Sequence, residues 1–348
     1  CTYTGDVSGR NSDGSVANPH DYAGYIGRGY TLSGCQGSKV IIDGVEYVQA
    51  FNTADEAGIY YIDDILTINS ATAFNLFAGK VNSGIDFKTI QLGADIDLNN
   101  EEWIPIGNSE YSFNGSFDGQ GNKISNLRVN GSGKSNQGLF GMTQNGEIKN
   151  LTIENAKVVG RLNVGVVAGT PYTSKYTNIN VIGHVEVEGM AYVGGVGGKN
   201  AYANWTDITV NVDETSYVRA NSIEDGTAYR TYVGGVCGFN GEGGHTFENI
   251  RSNIDVTGTT CDVGGLFGIA HYENNFKNCS SSGDVIITDA EEAEEAEQIG
   301  GIAGVWHNET DHQVTFTNCS FTGTLSSNFT EGVDLNDKKV YEEAIEYF

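Results

Sequence analysis

Basic side chains, prolines and catalytic signatures are scarce in this chain, and each scarcity removes a class of explanation. Lys and Arg total 19 against 45 Asp and Glu, which gives the 348 residues a formal net charge of −26. Such a surface repels phosphate backbones and anionic headgroups, so nucleic acid and acidic membranes are excluded as partners. No run is long and apolar enough to form a transmembrane helix. A zinc peptidase needs His-Glu-x-x-His on a helix, and none is present. The nearest imitation, His307-Asn308-Glu309-Thr310-Asp311-His312, has the wrong spacing. There is no G-x-S-x-G elbow, no P-loop and no C-x-x-C pair among the 6 Cys, so these residues offer no catalytic group and no metal site.

Glycine, by contrast, is abundant at 48 residues against 3 Pro. Much of it lies in a recurring unit of apolar residue, Gly, two or three small or apolar residues, and Gly. Copies end at Gly27, Gly141, Gly169, Gly198, Gly238, Gly268 and Gly304. From Gly141 onward the base interval is about 28–30 residues, the size of one structural repeat. Two longer intervals are assigned to insertions, around Glu214 to Arg230 and in the acidic run Ala290 to Glu297; intact flanking patterns place both in loops.

A second column follows each glycine unit: Ile148-Lys149-Asn150-Leu151, Tyr176-Thr177-Asn178-Ile179, Trp205-Thr206-Asp207-Ile208, Phe247-Glu248-Asn249-Ile250, Phe276-Lys277-Asn278-Cys279 and Phe316-Thr317-Asn318-Cys319. Ile124-Ser125-Asn126-Leu127 reads as one more rung ahead of them. Each repeat therefore holds about three short strand-like pieces separated by Gly and Asn turns, with no helical periodicity between them. Pieces so short close a sheet only by stacking in parallel on their copies, about 4.7–4.9 Å apart. The expected fold is all-β, a right-handed parallel β-helix, with glycines relieving crowding or supplying positive φ at the corners and Asn tolerating the left-handed conformation.

Gly138-Leu139-Phe140-Gly141 and its relatives resemble the GLUG-motif repeats of bacterial surface proteins. The approach through Asp95-Ile96-Asp97-Leu98, Trp103-Ile104-Pro105-Ile106-Gly107 and Phe113 to Ile124 resembles the opening of such an array. The resemblance covers residues 62–328 and implies a monomeric, non-catalytic module of a longer extracellular chain at a bacterial cell surface, serving as a stalk or in adhesion to a host or neighbouring-cell glycan or protein. Similar repeats accompany immunoglobulin A-cleaving metallopeptidases. A polysaccharide-degrading or carbohydrate-binding β-helix is the alternative.

Residues 1–61 read as the end of a preceding array plus a connector, 62–328 as the main array, and 329–348 as a C-terminal cap or lead into a further segment. Ser70 to Val81 places Ala73, Phe74, Phe77 and Val81 on one helical face behind an Asn69 or Ser70 N-cap; this amphipathic helix, at about 70–82, is assigned to capping the array. Cys1 and Cys35 align with Cys279 and Cys319 as buried core positions, leaving Cys237 and Cys261 outside that column. Cys1 is thus expected in mid-coil, with a lipid-anchored mature N-terminus as the alternative. A Cys279–Cys319 disulfide is conceivable, although a reduced core pair is the simpler reading.

Asp95, Asp97, Glu101, Glu102 and Asp118 form the densest acidic group. Turn and strand chemistry explains them, with calcium as the alternative use of the same oxygens; otherwise no cofactor is implied. The turn after each glycine unit is rich in rings. Tyr172, Tyr202, His245, His271, Tyr272, Trp306 and His307 would gather on one side of the stack as the candidate glycan- or protein-binding surface. Tyr176, Trp205, Phe247, Phe276 and Phe316 instead occupy the repeat's apolar position and are assigned to the core.

Overall fold

The computed structural model describes residues 65–327 apart from 222, 225–226, 229–231, 242–243, 260, 272, 289–298 and 308–313. Side chains at 223–224, 227–228 and 306–307 also lie outside the described set. Nearer the N-terminus only the strand segments Gly9–Arg10, Val16–Ala17, Lys39–Ile42, Val45–Val48 and Tyr61–Ile62 are described; Lys39–Ile42 and Val45–Val48 pair antiparallel. The readings made for Cys1, Cys35, the rest of 1–61, the acidic run at 290–297 and 329–348 lie outside the described residues.

The chain is mostly β, and its main sheets are parallel. Each repeat lays a long strand on the strand of the repeat before it: Lys123–Asn130, Glu147–Val159, Lys175–Gly189 and Asn204–Val212 pair in that order, with Thr246–Ser252 next. A second sheet holds Leu162–Gly165, Ala191–Gly194, Tyr232–Gly234, Asp262–Gly264 and Ile299–Gly300. A third holds Phe140–Gln144, Ala168–Tyr172, Gly197–Asn200, Cys237–Asn240, Phe267–His271 and Ala303–His307. Sequential order within all three sheets means that neighbours in space are neighbours in the repeat.

The glycine units join the second sheet to the third, and their geometry decides why glycine is required. Among the described residues, none of these glycines has positive φ, which corrects half of the sequence expectation. The constraint is space. A Cβ on Gly198 would lie under 3.0 Å from backbone atoms of Asn163 and Val164, one repeat back; on Gly238 it would meet Tyr192 and Val193, and on Gly268, Tyr232 and Val233. The first glycine of a unit faces the next repeat in the same way, Gly194 meeting the Cys237 Cα and Gly165 the Gly197 Cα. Backbone therefore packs directly on backbone, at a spacing that leaves no room for a side chain.

Positive φ is supplied by asparagine instead. Asn150, Asn178, Asp207, Asn249, Asn278 and Asn318 all adopt φ between 51° and 58°. Their side chains form a one-way ladder, each amide nitrogen donating to the oxygen of the repeat before: Asn178 to Asn150 at 2.9 Å, Asn249 to Asp207 at 2.8 Å, Asn278 to Asn249 at 3.1 Å. A ladder with this polarity needs a pure acceptor at its start, and Asp118 accepts from Asn150 at 3.1 Å while Asp207 begins the later run. Ile124-Ser125-Asn126-Leu127 belongs to a different ladder. Ile124 pairs with Ile153, and Asn126 donates to Asp97 and accepts from Asn155, so the expected register for this rung is corrected by one strand segment.

Inside, like side chains stack in register. Tyr176, Trp205, Phe247 and Phe276 are at most 1% exposed, with successive ring centroids 5.5, 6.3 and 4.9 Å apart and Phe316 continuing at 5.0 Å. Such pairs contribute about 0.5–1.5 kcal/mol each beyond burial. Cys279 and Cys319 sit opposite one another in the adjacent column, buried and unbridged. Cys237 and Cys261 are also buried, and burial pushes the Cys237 thiol up to about 12.

Helix α1 spans Ala71–Asn82, with Ser70 Oγ accepting from the Ala73 N–H at 3.2 Å. Its buried face carries Ala73, Phe74, Phe77, Ala78 and Val81. Phe74 stacks on Trp103 at 4.8 Å and Phe77 meets Phe87 edge-on at 5.2 Å, so α1 covers the aromatic core of the first repeats. The insertion expected at Glu214 to Arg230 is narrower than read: Tyr217–Asn221 is a regular strand, paired with Glu186–Gly189 and Asp255–Thr259.

Two substitutions test the spacing argument in urea unfolding. Gly198→Ala should cost about 1–3 kcal/mol or more by forcing the repeats apart. Gly79→Ala, in α1 with nothing within 4 Å of the added Cβ, should gain about 0.5–1 kcal/mol. Asn249→Ala should lose about 1–2 kcal/mol, since it breaks two ladder bonds and replaces a residue that tolerates φ 58° by one that tolerates it less, and Asn249→Gly should recover only the backbone part.

Candidate functional site

Four of the seven candidate binding residues have described side chains. Tyr172 ends a third-sheet strand, and the parallel bridge from Tyr172 to Ala201 puts Tyr202 one position further on in the next repeat. Tyr202 sits at a left-handed corner, φ 62°, and is 41% exposed. The Tyr172 and Tyr202 rings meet edge-on at 5.9 Å, and Tyr202 meets the His245 ring edge-on at 5.8 Å. Three successive repeats thus join their rings into one continuous surface. His271 follows on the same flank, half-buried, with Nδ1 3.2 Å from the Gly241 carbonyl. Trp306 and His307 align by backbone pairing with Ala270 and His271, but their side chains, like all of Tyr272, lie outside the described residues.

A second group of rings lies at a different corner. Tyr192 and Tyr232 stack at 6.0 Å, Phe239 lies 5.1 Å from Tyr192 and 5.5 Å from Tyr232, and the Lys199 ammonium sits 5.9 Å from the Tyr192 centroid and 5.4 Å from that of Phe239. Phe239 follows a glycine unit directly, and register places it here by pairing it with Lys199 on the strand before. The signal that could have found this group is in the glycine unit itself: Tyr192 and Lys199 bracket one copy, and Tyr232 and Phe239 bracket the next.

The acidic group is occupied by structural duties. Asp95 accepts from the Lys123 N–H, Asp97 from the Asn99 N–H and the Asn126 amide, Asp118 from the Gln120 N–H and the Asn150 amide, and Glu102 from the Asn130 N–H. The Asn126 amide, with help from the Asn99 N–H, holds the Asp97 carboxyl below its ordinary value. These acids tie turns to neighbouring repeats. Among the described residues, no cluster of three or more His, Cys, Asp or Glu is arranged to hold a metal ion, and no helix is long and apolar enough to cross a membrane.

Titratable groups do converge on the outer face of the first sheet. His184 Nε2 lies 3.0 Å from Glu186 and Nδ1 3.3 Å from Asp213, while Lys157 reaches Glu186 at 2.5 Å. Hydrogen bonding to Glu186, then to Asp213, raises the His184 pKa above the ordinary 6.5. Lys157, then His184, lowers that of Glu186 from 4.5 to about 2. With a 44% exposed imidazole, this is a surface ion-pair network whose effect on stability is modest.

The folded state holds the His184 proton more tightly than the unfolded chain, so its contribution is complete below pH 6.5 and is lost as pH rises through the raised folded value. The Glu186 contribution is complete above pH 4.5 and is lost as pH falls toward 2. The difference in Tm between the protein and His184→Gln should therefore be greatest between about pH 4.5 and 6.5 and shrink on either side; a difference independent of pH would contradict the network.

No protein-family model matches the chain. Over 170 residues, 45% of its length, the chain is 34% identical to halomucin of Haloquadratum walsbyi (strain DSM 16790 / HBSQ001), a match that spans only 2% of that protein. Among solved structures, it superposes with a TM-score of 0.54 on a Bacteroides ovatus protein provisionally assigned as an immunoglobulin A1 protease, at 20% identity over 77% of this chain and 79% of that one. A structure described as IgA1 protease matches with a TM-score of 0.56 at 14% identity, over 84% of this chain and 22% of that one. At these identities the likeness to the two structures is one of fold.

Proposed function

We propose that this chain is a right-handed parallel β-helix of GLUG-type repeats that acts as a non-catalytic stalk or adhesion module at a bacterial cell surface. The observation that carries this reading is the continuous ring surface of Tyr172, Tyr202 and His245, built by three consecutive repeats on one flank. Aromatic rings held on a rigid scaffold supply contact area at small entropic cost, the usual chemistry of an interaction surface. The same flank would receive a host or neighbouring-cell glycan or protein. The likeness to halomucin and to proteins described as IgA1 proteases is in keeping with an extracellular setting.

A non-catalytic role is supported by what the acids already do. A glycosidase needs two carboxyls facing a common substrate, and a lyase needs a base beside its acids. Here Asp95, Asp97, Glu102 and Asp118 each accept a backbone or amide hydrogen that holds the stack together.

Incubation with immunoglobulin A1 and with a broad polysaccharide panel should therefore leave both intact. Binding to a glycan array or to cells should be saturable and should weaken about 5–10-fold in Tyr172→Ala or Tyr202→Asn, the latter chosen because Asn accepts the left-handed backbone. Turnover would sink the non-catalytic reading, and unchanged binding in both variants would remove this flank from it.

A further inference from the structure

We infer that a second corner of the stack, running from Lys134 through Asn136, Asn163 and Tyr192 to Lys199 and Phe239, is a binding track for an extended glycan chain that carries carboxylates. The inference rests on the non-catalytic contact role proposed above but uses different residues.

Each glycine unit turns the chain back on itself, so that the residues just before and just after it meet at the corner between the second and third sheets. Asn163 and Thr170 bracket one unit, and Tyr192 and Lys199 the next. Along the stack these pairs touch. Asn163 donates to Asn136 Oδ1 at 2.8 Å, and the Thr170 hydroxyl donates to the same oxygen at 2.7 Å. Register then places Tyr192 after Asn163, and the Tyr192, Lys199, Tyr232 and Phe239 group continues the line. At its N-terminal end the line opens into a groove of 470 Å³ whose lining includes Lys134, Asn136 and Ile104, together with Glu102, whose carboxylate accepts from the Asn130 N–H. Ile104 is 71% exposed, while the neighbouring Trp103 turns inward onto Phe74.

The chemistry along this line changes in a useful order: cation and apolar lip, then half-buried amides braced from beneath by the buried Thr170 hydroxyl, then rings beneath a second cation. Planar amides match sugar hydroxyls, and ring faces match the C–H faces of pyranoses. The backbone here is already paired to the repeats on both sides, so a peptide could not add as a strand, and recognition must come from side chains.

The charge selects the acidic class. Lys123, Lys149, Lys157, Lys277 and Arg219 each pair with a glutamate on the first sheet. Among the described residues, no carboxylate pairs with Lys134 or Lys199. In a protein of net charge −26, two ammonium groups outside the described ion pairs are where a carboxylated polymer meets attraction rather than repulsion.

The test uses oligogalacturonides and the same oligosaccharides methyl-esterified, titrated calorimetrically into the whole chain at low and high salt, with chain length of the sugar checked afterwards. The acidic form should bind, weaken as salt rises, and bind more tightly than the ester. Lys199→Met and Tyr192→Asn should each raise Kd by about tenfold; Asn occupies the same corner position at Asn163, so the fold is kept, while Lys277→Met, on the first sheet, should leave Kd unchanged. Equal binding of acid and ester, no binding of either, or loss in Lys277→Met but not in Tyr192→Asn would overturn the track. Shortened oligosaccharides would instead overturn the non-catalytic reading on which it rests. Binding of a surface protein that is lost in Lys199→Met, with no glycan bound, would reassign the corner to a protein partner.

Discussion

The close approach of backbone to backbone at the glycine units is the constraint on which the rest of the structure depends. Gly165, Gly194 and Gly198 lie so near the adjacent repeats that an added methyl would meet main-chain atoms, which cannot yield as a flexible side chain can. That contact sets the register between repeats at the junction of two sheets. Once it is set, every other column must align, because a parallel pair that slips by one residue turns its inward side chains outward.

The remaining columns then reinforce the same register by different means. The asparagine ladder bonds corner to corner in two runs, the second starting at Asp207, and relieves the left-handed strain that most residues would feel there. The aromatic column fills the interior, and α1 closes over the rings of the first repeats, Phe74 on Trp103 and Phe77 on Phe87. Polar residues that would look catalytic in a less regular fold are absorbed by this scheme: Asp118 is the acceptor that lets the amide ladder begin. Local and long-range preferences agree, which is the property that makes a repeated chain foldable.

The same regularity shapes what the surface can offer. A fold whose backbone groups are satisfied repeat by repeat has little to present except rows of side chains, and two such rows carry rings. One joins Tyr172, Tyr202 and His245, and the other joins Tyr192, Tyr232 and Phe239 beneath Lys199. Stacking turns single aromatic residues, each weak alone, into extended surfaces on a rigid support.

From sequence alone the repeat, its period, the core assignment of Tyr176, Trp205, Phe247 and Phe276, the helix at α1, and the stacking of Cys279 on Cys319 were all legible. These follow from local rules, since apolar periodicity, capping chemistry and recurrence act within or between copies of one motif. The flank of Tyr172, Tyr202 and His245 was legible for the same reason. What only the tertiary structure decided was spatial: that the motif glycines answer crowding rather than positive φ, that Asn126 belongs to a ladder apart from Asn150, that Tyr217–Asn221 is strand, and that Phe239 sits with Lys199. Each depends on which atoms of another repeat lie opposite, about 4.8 Å away along the stack and some thirty residues away in the chain, a distance that no pattern within a single repeat records.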